Sequence, residues 1–564
     1  MKENLQRIEN ANVRNNASGV VCARGQKEIK SDVLSGVVSE TAAKMHNECA
    51  IHIHDLEFYE ITYNCIGLSV YDMVKDKSLC FDRMLRKLYR GIVDLSNRQS
   101  GGIGFIDFDS EAASFIKSES DEELTASFRE WFCDLNMPSR KGCEAPYVTL
   151  NIGLCTSENG RRIISSILDA FLAGDENGRP FVFPNIVFKL KKGINYSEND
   201  GNHDLLVKAF GVTARRMIPT YYNTDSSYNV SFDAHSIGIM GCRTRVASNI
   251  NGEAGALNRG NIANITINLP QLAYKAEKID DFYSELDCVL EITKDLLIHR
   301  YETVIEKINL AWLAEKKYYM GHEGYSSSGN NMDMMKNGTL AIGFIGLWDA
   351  IGIMHGHIDS VEDIEAHYNE GYEIIKHMRQ FTDRVTEETG LNFSVLATAA
   401  EGTTGRFAKH DELHCGKGYE ECQKGYYTNS FHVPVELMTP YWKKTEIEGA
   451  FHSLCNGGAI TYMEFEEMPY RNVLAVKMAV EKAYEEDCGY IGINFPLDVC
   501  SDCGYTGRIM DHCPECDSKE IKRFRRVSGY LAEEMSFADG KKAEMKRRRG
   551  HFEQNLENSS FITI

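Results

Sequence analysis

The chain has 564 residues, 43% of them apolar and 26% charged, which excludes a disordered chain, a collagen-like one and a disulfide-stapled miniprotein. That length exceeds what a single small core uses, so one large domain with appendages, or two to three domains, is expected. With 62 Lys and Arg against 82 Asp and Glu, the net charge of −20 repels nucleic acid and leaves small anions in local pockets as the anionic ligands to expect.

Residues 1–45 read as polar and helical, and the opening MKENLQRIENANVRNN is charged where a secretory leader would be apolar. The most apolar run, Leu340–Trp348 (LAIGFIGLW), falls far short of the roughly 20 residues that cross a bilayer. It is expected as buried core, without membrane contact. A reducing cytoplasm is then the expected compartment, where the 17 cysteines stay free, bind metal or do redox chemistry. From 46 to 495 short β-branched runs alternate with helical patterns. Strands are expected at Tyr147–Leu154, Phe181–Leu190, Asn264–Leu269 and Ala459–Phe465, and helices at Asp281–Glu302, Val361–Thr389 and Val473–Glu486. This alternation predicts an α/β class. At Pro496 the composition changes, giving three parts: a body over 1–495, a Cys-rich segment over 496–520, and a basic helical stretch with a polar tail over 521–564.

The Cys-rich segment reads CSDCGYTGRIMDHCPEC. Cys500 with Cys503, and Cys513 with Cys516, form two Cys-x-x-Cys knuckles whose four thiolates complete a tetrahedral shell. A structural zinc with no open position is expected, a rubredoxin-type iron being the alternative metal. Downstream, the run Lys541–Arg549 reads as a solvated helix face.

Between these lies Arg526–Ala532 (RVSGYLA). A glycine in a short loop ordinarily supplies positive φ. A glycine between two amides also stabilises an α-carbon radical, through its donor nitrogen and acceptor carbonyl. RVSGYLA resembles the signature loop of the glycyl radical enzymes. Within that family the chain resembles the anaerobic (class III) ribonucleoside-triphosphate reductases over nearly its whole length. The matching motifs, in order, are HIHDLEF at 52–58, MGCRTR at 240–245, RGN at 259–261 and TINLP at 266–270. They continue with GTLAIGFIGL at 338–347, LNFSVLATAAEGTTGRF at 391–407, YTNSFHVPV at 427–435 and NGGAITYMEF at 456–465. The four-Cys segment follows, and then FADGKKAEMKRRR, with Phe537, Gly540, Lys541 and Glu544 at the family's offsets. Two departures stand out: Ala399 replaces a proline usual in the family, and HIHD already appears at residue 52. The early HIHD leaves no room for an N-terminal ATP-cone, so dATP inhibition through a cone is not expected.

The resemblance implies a ten-stranded α/β barrel of two five-stranded halves enclosing the Cys242 loop, with Gly529 on a second loop pointing at Cys242. It implies a radical stored on Gly529 by a radical S-adenosylmethionine activating enzyme with an iron–sulfur cluster. Cys242 would be the thiyl residue that abstracts the ribose 3′ hydrogen. Cys65, in YNCIGLSV, would protonate the departing 2′-hydroxyl from the opposite face and return a hydrogen atom. Formate would supply the electrons, a thioredoxin-type protein being the alternative. An asparagine holds the reacting groups, Asn268 as first choice and Asn264 as second. His54 donates a hydrogen bond or shuttles a proton, or is structural beside Asp55, and Glu401 is equally open between site and turn. Gly457 and Gly458 would offer N–H groups to the triphosphate. A homodimer with dNTP or ATP effectors at a specificity site completes the implied picture. Two other readings are a pyruvate formate-lyase or diol dehydratase, and a catalytically silent nucleotide-binding regulator. The first is disfavoured by the lone Cys242, where pyruvate formate-lyase has adjacent cysteines; the second by the retention of Gly529, Cys242 and Cys65.

Overall fold

Short runs of β-branched and aromatic residues, each ended by a turn or a helix cap, form the strands of a closed ring. The computed structural model describes residues 16–552 except 141, 143, 415–419 and 527–528. The first 15 residues of the expected N-terminal helical region, and the tail from 553, lie outside the described residues.

Five parallel strands make one half of the ring: β1 (Ile66–Leu68), β2 (Ile103–Phe105), β3 (Val148–Ile152), β4 (Asn185–Leu190) and β5 (Thr220–Asn223). The other half is β6 (Arg259–Asn268), β7 (Thr339–Ile345), β8 (Asn392–Ala397), β9 (Thr461–Glu464) and β10 (Tyr490–Asn494). Within it β6–β7–β8 and β9–β10 are parallel. The halves meet antiparallel, at β5–β10 and at β6–β1. Closure comes from a parallel bridge between Leu396 in β8 and Gly458 just before β9. Ile51–Ile53 adds an antiparallel strand along the end of β6. The ten-stranded barrel of two five-stranded halves is therefore observed.

Helices cover the ring because their apolar stripes need a partner face. The Leu340–Trp348 run is fully buried, as expected: it forms β7, turns at Gly346 with φ 74°, and enters the helix Leu347–His355. The helix expected over Val361–Thr389 is broken at His367 into Val361–Ala366 and Tyr368–Thr389, the first piece starting in a Ser360/Asp363 capping box. The expected strand at 264–269 starts earlier, at Arg259, and stops at Asn268, where Pro270 opens a helix.

The Cys-rich segment and the Gly529 region share one antiparallel sheet, in the order β12–β11–β13–β14, with β11 (Leu497–Cys500), β12 (Thr506–Gly507), β13 (Ile521–Arg526) and β14 (Leu531–Glu533). Buried Asp498 in β11 pairs with Arg523 and Arg525 at 3.0 and 2.7 Å. The solvated helix face expected at 541–549 is found at Lys546, Arg547 and Arg549, which are exposed, and is corrected on the other side of the helix. Lys541 and Glu544 are buried and paired at 2.7 Å, and Arg548 adds a 2.8 Å contact to the same carboxylate. The acid that neutralises the buried side, Glu544, lies within the basic run itself.

Candidate active site

Two short strands, Ile239–Met240 and Thr244–Arg245, pair as a hairpin that carries Gly241 and Cys242 at its tip inside the ring. The backbone can enter because the facing segment presents glycines, Gly102 and Gly104, on that side. A Cβ on Gly102 would lie 3.0 Å from the Gly241 Cα, and one on Gly104 2.8 Å from the Met240 side chain. Asn151 fastens the hairpin, its amide bonding the Ile239 N–H at 2.9 Å and carbonyl at 3.0 Å. Arg243 turns its guanidinium to the carbonyls of Ala397 and Thr398 at 3.1 and 3.3 Å, a structural role.

The hairpin tip borders a cavity of about 120 Å³. Cys65 and Cys242 both line it, as do His54, Asn64, Asn264, Thr398, Glu401, Gly402, Thr403 and Tyr530. Cys65 sits just before β1. Its thiol donates to Asn64 Oδ1 at 2.9 Å and accepts from the Gly102 N–H at 3.3 Å. Asn64 is oriented in turn by Asp55, which accepts from its Nδ2 at 2.8 Å and from Ser100 at 3.0 Å. Burial pushes both thiols up, Cys242 to about 12. Beside Cys242, Arg243 pulls down while Glu401 and Cys65 push up. Both are protonated at neutral pH, the state required of hydrogen-atom donors and the reverse of a nucleophilic cysteine.

Gly529 is buried against the other side of the hairpin tip. A Cβ there would stand 1.5 Å from the Cys242 carbonyl oxygen and 2.5 Å from its Cα, so no residue but glycine fits. Buried Arg526 donates to the Gly529 carbonyl at 2.8 Å and the Ile493 carbonyl at 3.2 Å, tying the loop to β10. Tyr530 packs on Tyr147, ring centres 5.6 Å apart, and its hydroxyl donates to Glu401 at 2.8 Å.

Other expected site residues divide. Asn264 lines the cavity, and its buried Oδ1 has no hydrogen-bond partner among the described residues. Asn268, the first choice, is a correction: it caps the helix Leu269–Lys275, and its Nδ2 donates to the Cys49 carbonyl at 3.0 Å and to Asp411 at 2.9 Å. His54 lines the cavity, Nε2 2.7 Å from Thr266 Oγ1, which lies 2.8 Å from Thr398 Oγ1. Gly457 and Gly458 are a second correction. Their N–H groups are bonded to the Val395 and Cys455 carbonyls at 2.8 and 3.0 Å, and a Cβ on Gly458 would strike the Arg243 carbonyl at 2.0 Å. They close the ring over the hairpin and do not face the cavity.

The four metal-type cysteines fit a single ion. Their sulfurs lie within 4.8 Å of one another, with Cys500–Cys516 and Cys503–Cys513 at 3.5 Å. Zinc–sulfur bonds of about 2.3 Å in a tetrahedron separate sulfurs by about 3.8 Å. Gly504, at φ 78°, turns the first knuckle, and the Cys513 N–H closes the second onto Ser518 at 2.8 Å.

A ring of ten strands around a cysteine hairpin is the fold of the ribonucleotide reductase and glycyl radical class. A solved anaerobic ribonucleotide reductase shares it at TM-score 0.69 and 17% identity, covering 95% of this chain and 86% of that one. The Thermotoga maritima anaerobic ribonucleotide reductase in complex with dATP and CTP aligns at 0.67 and 17%, covering 94% and 90%. The B12-independent glycerol dehydratase from Clostridium butyricum aligns at 0.53 and 9%, covering 92% and 83%. The family model for anaerobic ribonucleoside-triphosphate reductase matches residues 9–551, and the chain belongs to that family. The enzyme of that name from Escherichia coli K12 is 32% identical over 461 residues, 78% of this chain and 64% of that protein, so the chain spans less than two thirds of this relative's length. The counterpart from Enterobacteria phage T4 is 25% identical over 589 residues, 92% and 94% of the two chains.

Proposed function

We propose that the protein reduces ribonucleoside triphosphates to 2′-deoxyribonucleoside triphosphates by radical chemistry under anaerobic conditions, supplying precursors for DNA synthesis. The observation that carries this reading is one small cavity with two neutral thiols, Cys65 and Cys242, and a glycine packed on the Cys242 backbone. A radical held at the Gly529 α-carbon takes the Cys242 hydrogen, and the resulting thiyl takes the ribose 3′ hydrogen. The 2′-hydroxyl then leaves as water with the Cys65 proton. Asn264 holds the reacting oxygens, and His54, through Thr266 and Thr398, orders the polar wall. Formate closes the balance: NTP, formate and a proton give dNTP, carbon dioxide and water. Its small size suits this cavity, which Cys65 and Cys242 line without a third described cysteine to complete a dithiol pair. The triphosphate is met by backbone N–H groups where Glu401–Thr403 enter the helix Thr403–His414. Zinc on the four cysteines supplies no redox chemistry and holds the sheet that carries Gly529. Effector dNTP or ATP binding, a homodimer, a cytoplasmic setting and activation by a radical S-adenosylmethionine enzyme complete the proposal.

The test is anaerobic activation of protein grown on ordinary or 2-13C glycine, read by EPR, together with CTP reduction in formate. A glycine-centred doublet broadened by the label, with dCTP formed, is expected. No label effect, or no dCTP from either formate or a thioredoxin-type donor, overturns it. Labelling is preferable to Gly529→Ala alone, because alanine cannot occupy the loop.

A further inference from the structure

Away from the barrel cavity, a second constellation of metal-type ligands stands on the helical surface. His355 ends the helix Leu347–His355, and Gly356, at φ 88°, turns the chain away. The chain returns through Val361–Ala366 to His367, at the helix break, and Glu370 lies in the first turn of Tyr368–Thr389. His355 Nε2 is 2.9 Å from a Glu370 carboxylate oxygen, and His367 Nδ1 is 3.8 Å from Glu370 Oε2. The two imidazoles stack with centres 4.4 Å apart at 20°. All three ligand atoms lie within 4.8 Å of one another.

We propose that His355, His367 and Glu370 bind one divalent transition-metal ion, zinc by preference, separate from the four-cysteine centre. Bonds of about 2.0–2.1 Å around a tetrahedral ion separate its ligand atoms by about 3.4 Å. The 3.8 Å separation of His367 from the carboxylate lies near that value, and the 2.9 Å contact of His355 is a hydrogen bond that an ion would replace by a small outward shift of the ring. Two neutral imidazoles and one carboxylate are the donor set of zinc, cobalt and nickel, whereas magnesium and calcium take oxygen. The 3.8 Å approach of His367 to the carboxylate is too long for a hydrogen bond and leaves both atoms able to turn to a shared ion. Three protein ligands leave a fourth position for water or for a donor from another molecule. The ion clamps the end of one helix to the start of another across the connection 356–366, so binding it raises stability by mass action.

The test uses the full chain without an affinity tag, equilibrated with zinc chloride at pH 7.5 and analysed for bound metal by atomic emission. Wild type should hold about one zinc per chain more than His355→Ala/His367→Ala, and more than the near-isosteric Glu370→Gln. Cys513→Ser/Cys516→Ser should lose the other ion and keep this one. Cobalt should give a wild-type-minus-His-variant spectrum free of the thiolate charge-transfer band. The His variants should match wild type in circular dichroism, and their melting temperature should not rise with added nickel as that of wild type does. Equal zinc content in wild type and both His-site variants, or a difference spectrum with thiolate character, overturns the proposal.

Discussion

Replacing Gly529 by alanine tests the packing of the two loops without reference to any reaction. The added methyl would stand 1.5, 2.2 and 2.5 Å from the O, C and Cα of Cys242, all backbone atoms, where carbon contacts need more than 3 Å. No rotamer relieves this, so the loop must move by about 1.5–2 Å or leave the barrel. Leaving takes Tyr530 out of its contact with Tyr147 and away from Glu401. Exposing a large buried side chain costs about 1.5–3 kcal/mol, and a lost hydrogen bond about 1 kcal/mol. The loop should therefore open more readily by about 3 kcal/mol, a roughly 100-fold loss of hydrogen-exchange protection. Exchange read by mass spectrometry should show that loss in peptides covering Leu531–Glu533, with β1–β4 unchanged. If protection of Leu531–Glu533 is retained and Tyr530 stays packed, the close approach of Gly529 to Cys242 is wrong.

Three further outcomes follow from the site. At pH 8 a thiol at about 12 carries on the order of 10³-fold less thiolate than an ordinary one near 8.5, so half-buried Cys242 should react with iodoacetamide about that much more slowly than exposed Cys80 and Cys288; equal rates by peptide mapping contradict the neutral thiol. Asn268→Ala should lose about 2–4 kcal/mol of stability, through a lost cap and two buried hydrogen bonds, while Asn264→Ala should melt like wild type and lose turnover; the reverse pattern in denaturant melts and CTP reduction restores Asn268 to the site. Stripping the four-cysteine ion with a chelator should deprotect residues 497–526 in hydrogen exchange and leave the ring intact, since a structural zinc supplies folding free energy to the elements it joins; unchanged exchange there means no ion holds that sheet.

What could be read from residues alone followed from how local the signal was. The four cysteines lie within 17 residues, and their spacing states the geometry directly. The barrel was legible only through the order of motifs, because its first two strands have three residues each, too short for a period. Asn264, Thr266 and Asn268 share one strand face by the two-residue alternation, and nothing in that alternation says that β6 ends at Asn268 and turns its amide into a helix cap. A glycine pair frees N–H groups, which is the ground for expecting donors at Gly457 and Gly458. The Gly457 N–H is instead bonded to Val395 in β8 and the Gly458 N–H to the Cys455 carbonyl in a local turn, while the Gly458 carbonyl accepts from Ala397. Gly101, Gly102 and Gly104 interrupt a strand pattern, and in the sequence such an interruption marks another backbone packed against the strand. Asn64, beside Cys65, carried no such mark, since its role depends on Asp55 reaching it from a left-handed turn at φ 52°.

The charge of the chain and the chemistry of the cavity bear on one another. A cation free to approach Cys242 would lower its pKa and favour thiolate, which cannot deliver a hydrogen atom. Arg243 is directed to two carbonyls and the Tyr462 hydroxyl, and Arg140, behind Tyr147, is directed to the carbonyls of Ser100 and Gly101. On the proposed function, with these guanidiniums turned to carbonyls and, for Arg140, to Glu144, a triphosphate would be met by the N–H groups at the start of the helix Thr403–His414, which carry partial charge and no titratable group. A triphosphate bound there would add negative charge near both thiols. The sign of that effect would be to push Cys65 and Cys242 further from ionisation, so on the proposed function substrate would strengthen the protonation state that its reduction requires. A site that recruited the triphosphate with lysines close to Cys242 would gain affinity and lose this coupling.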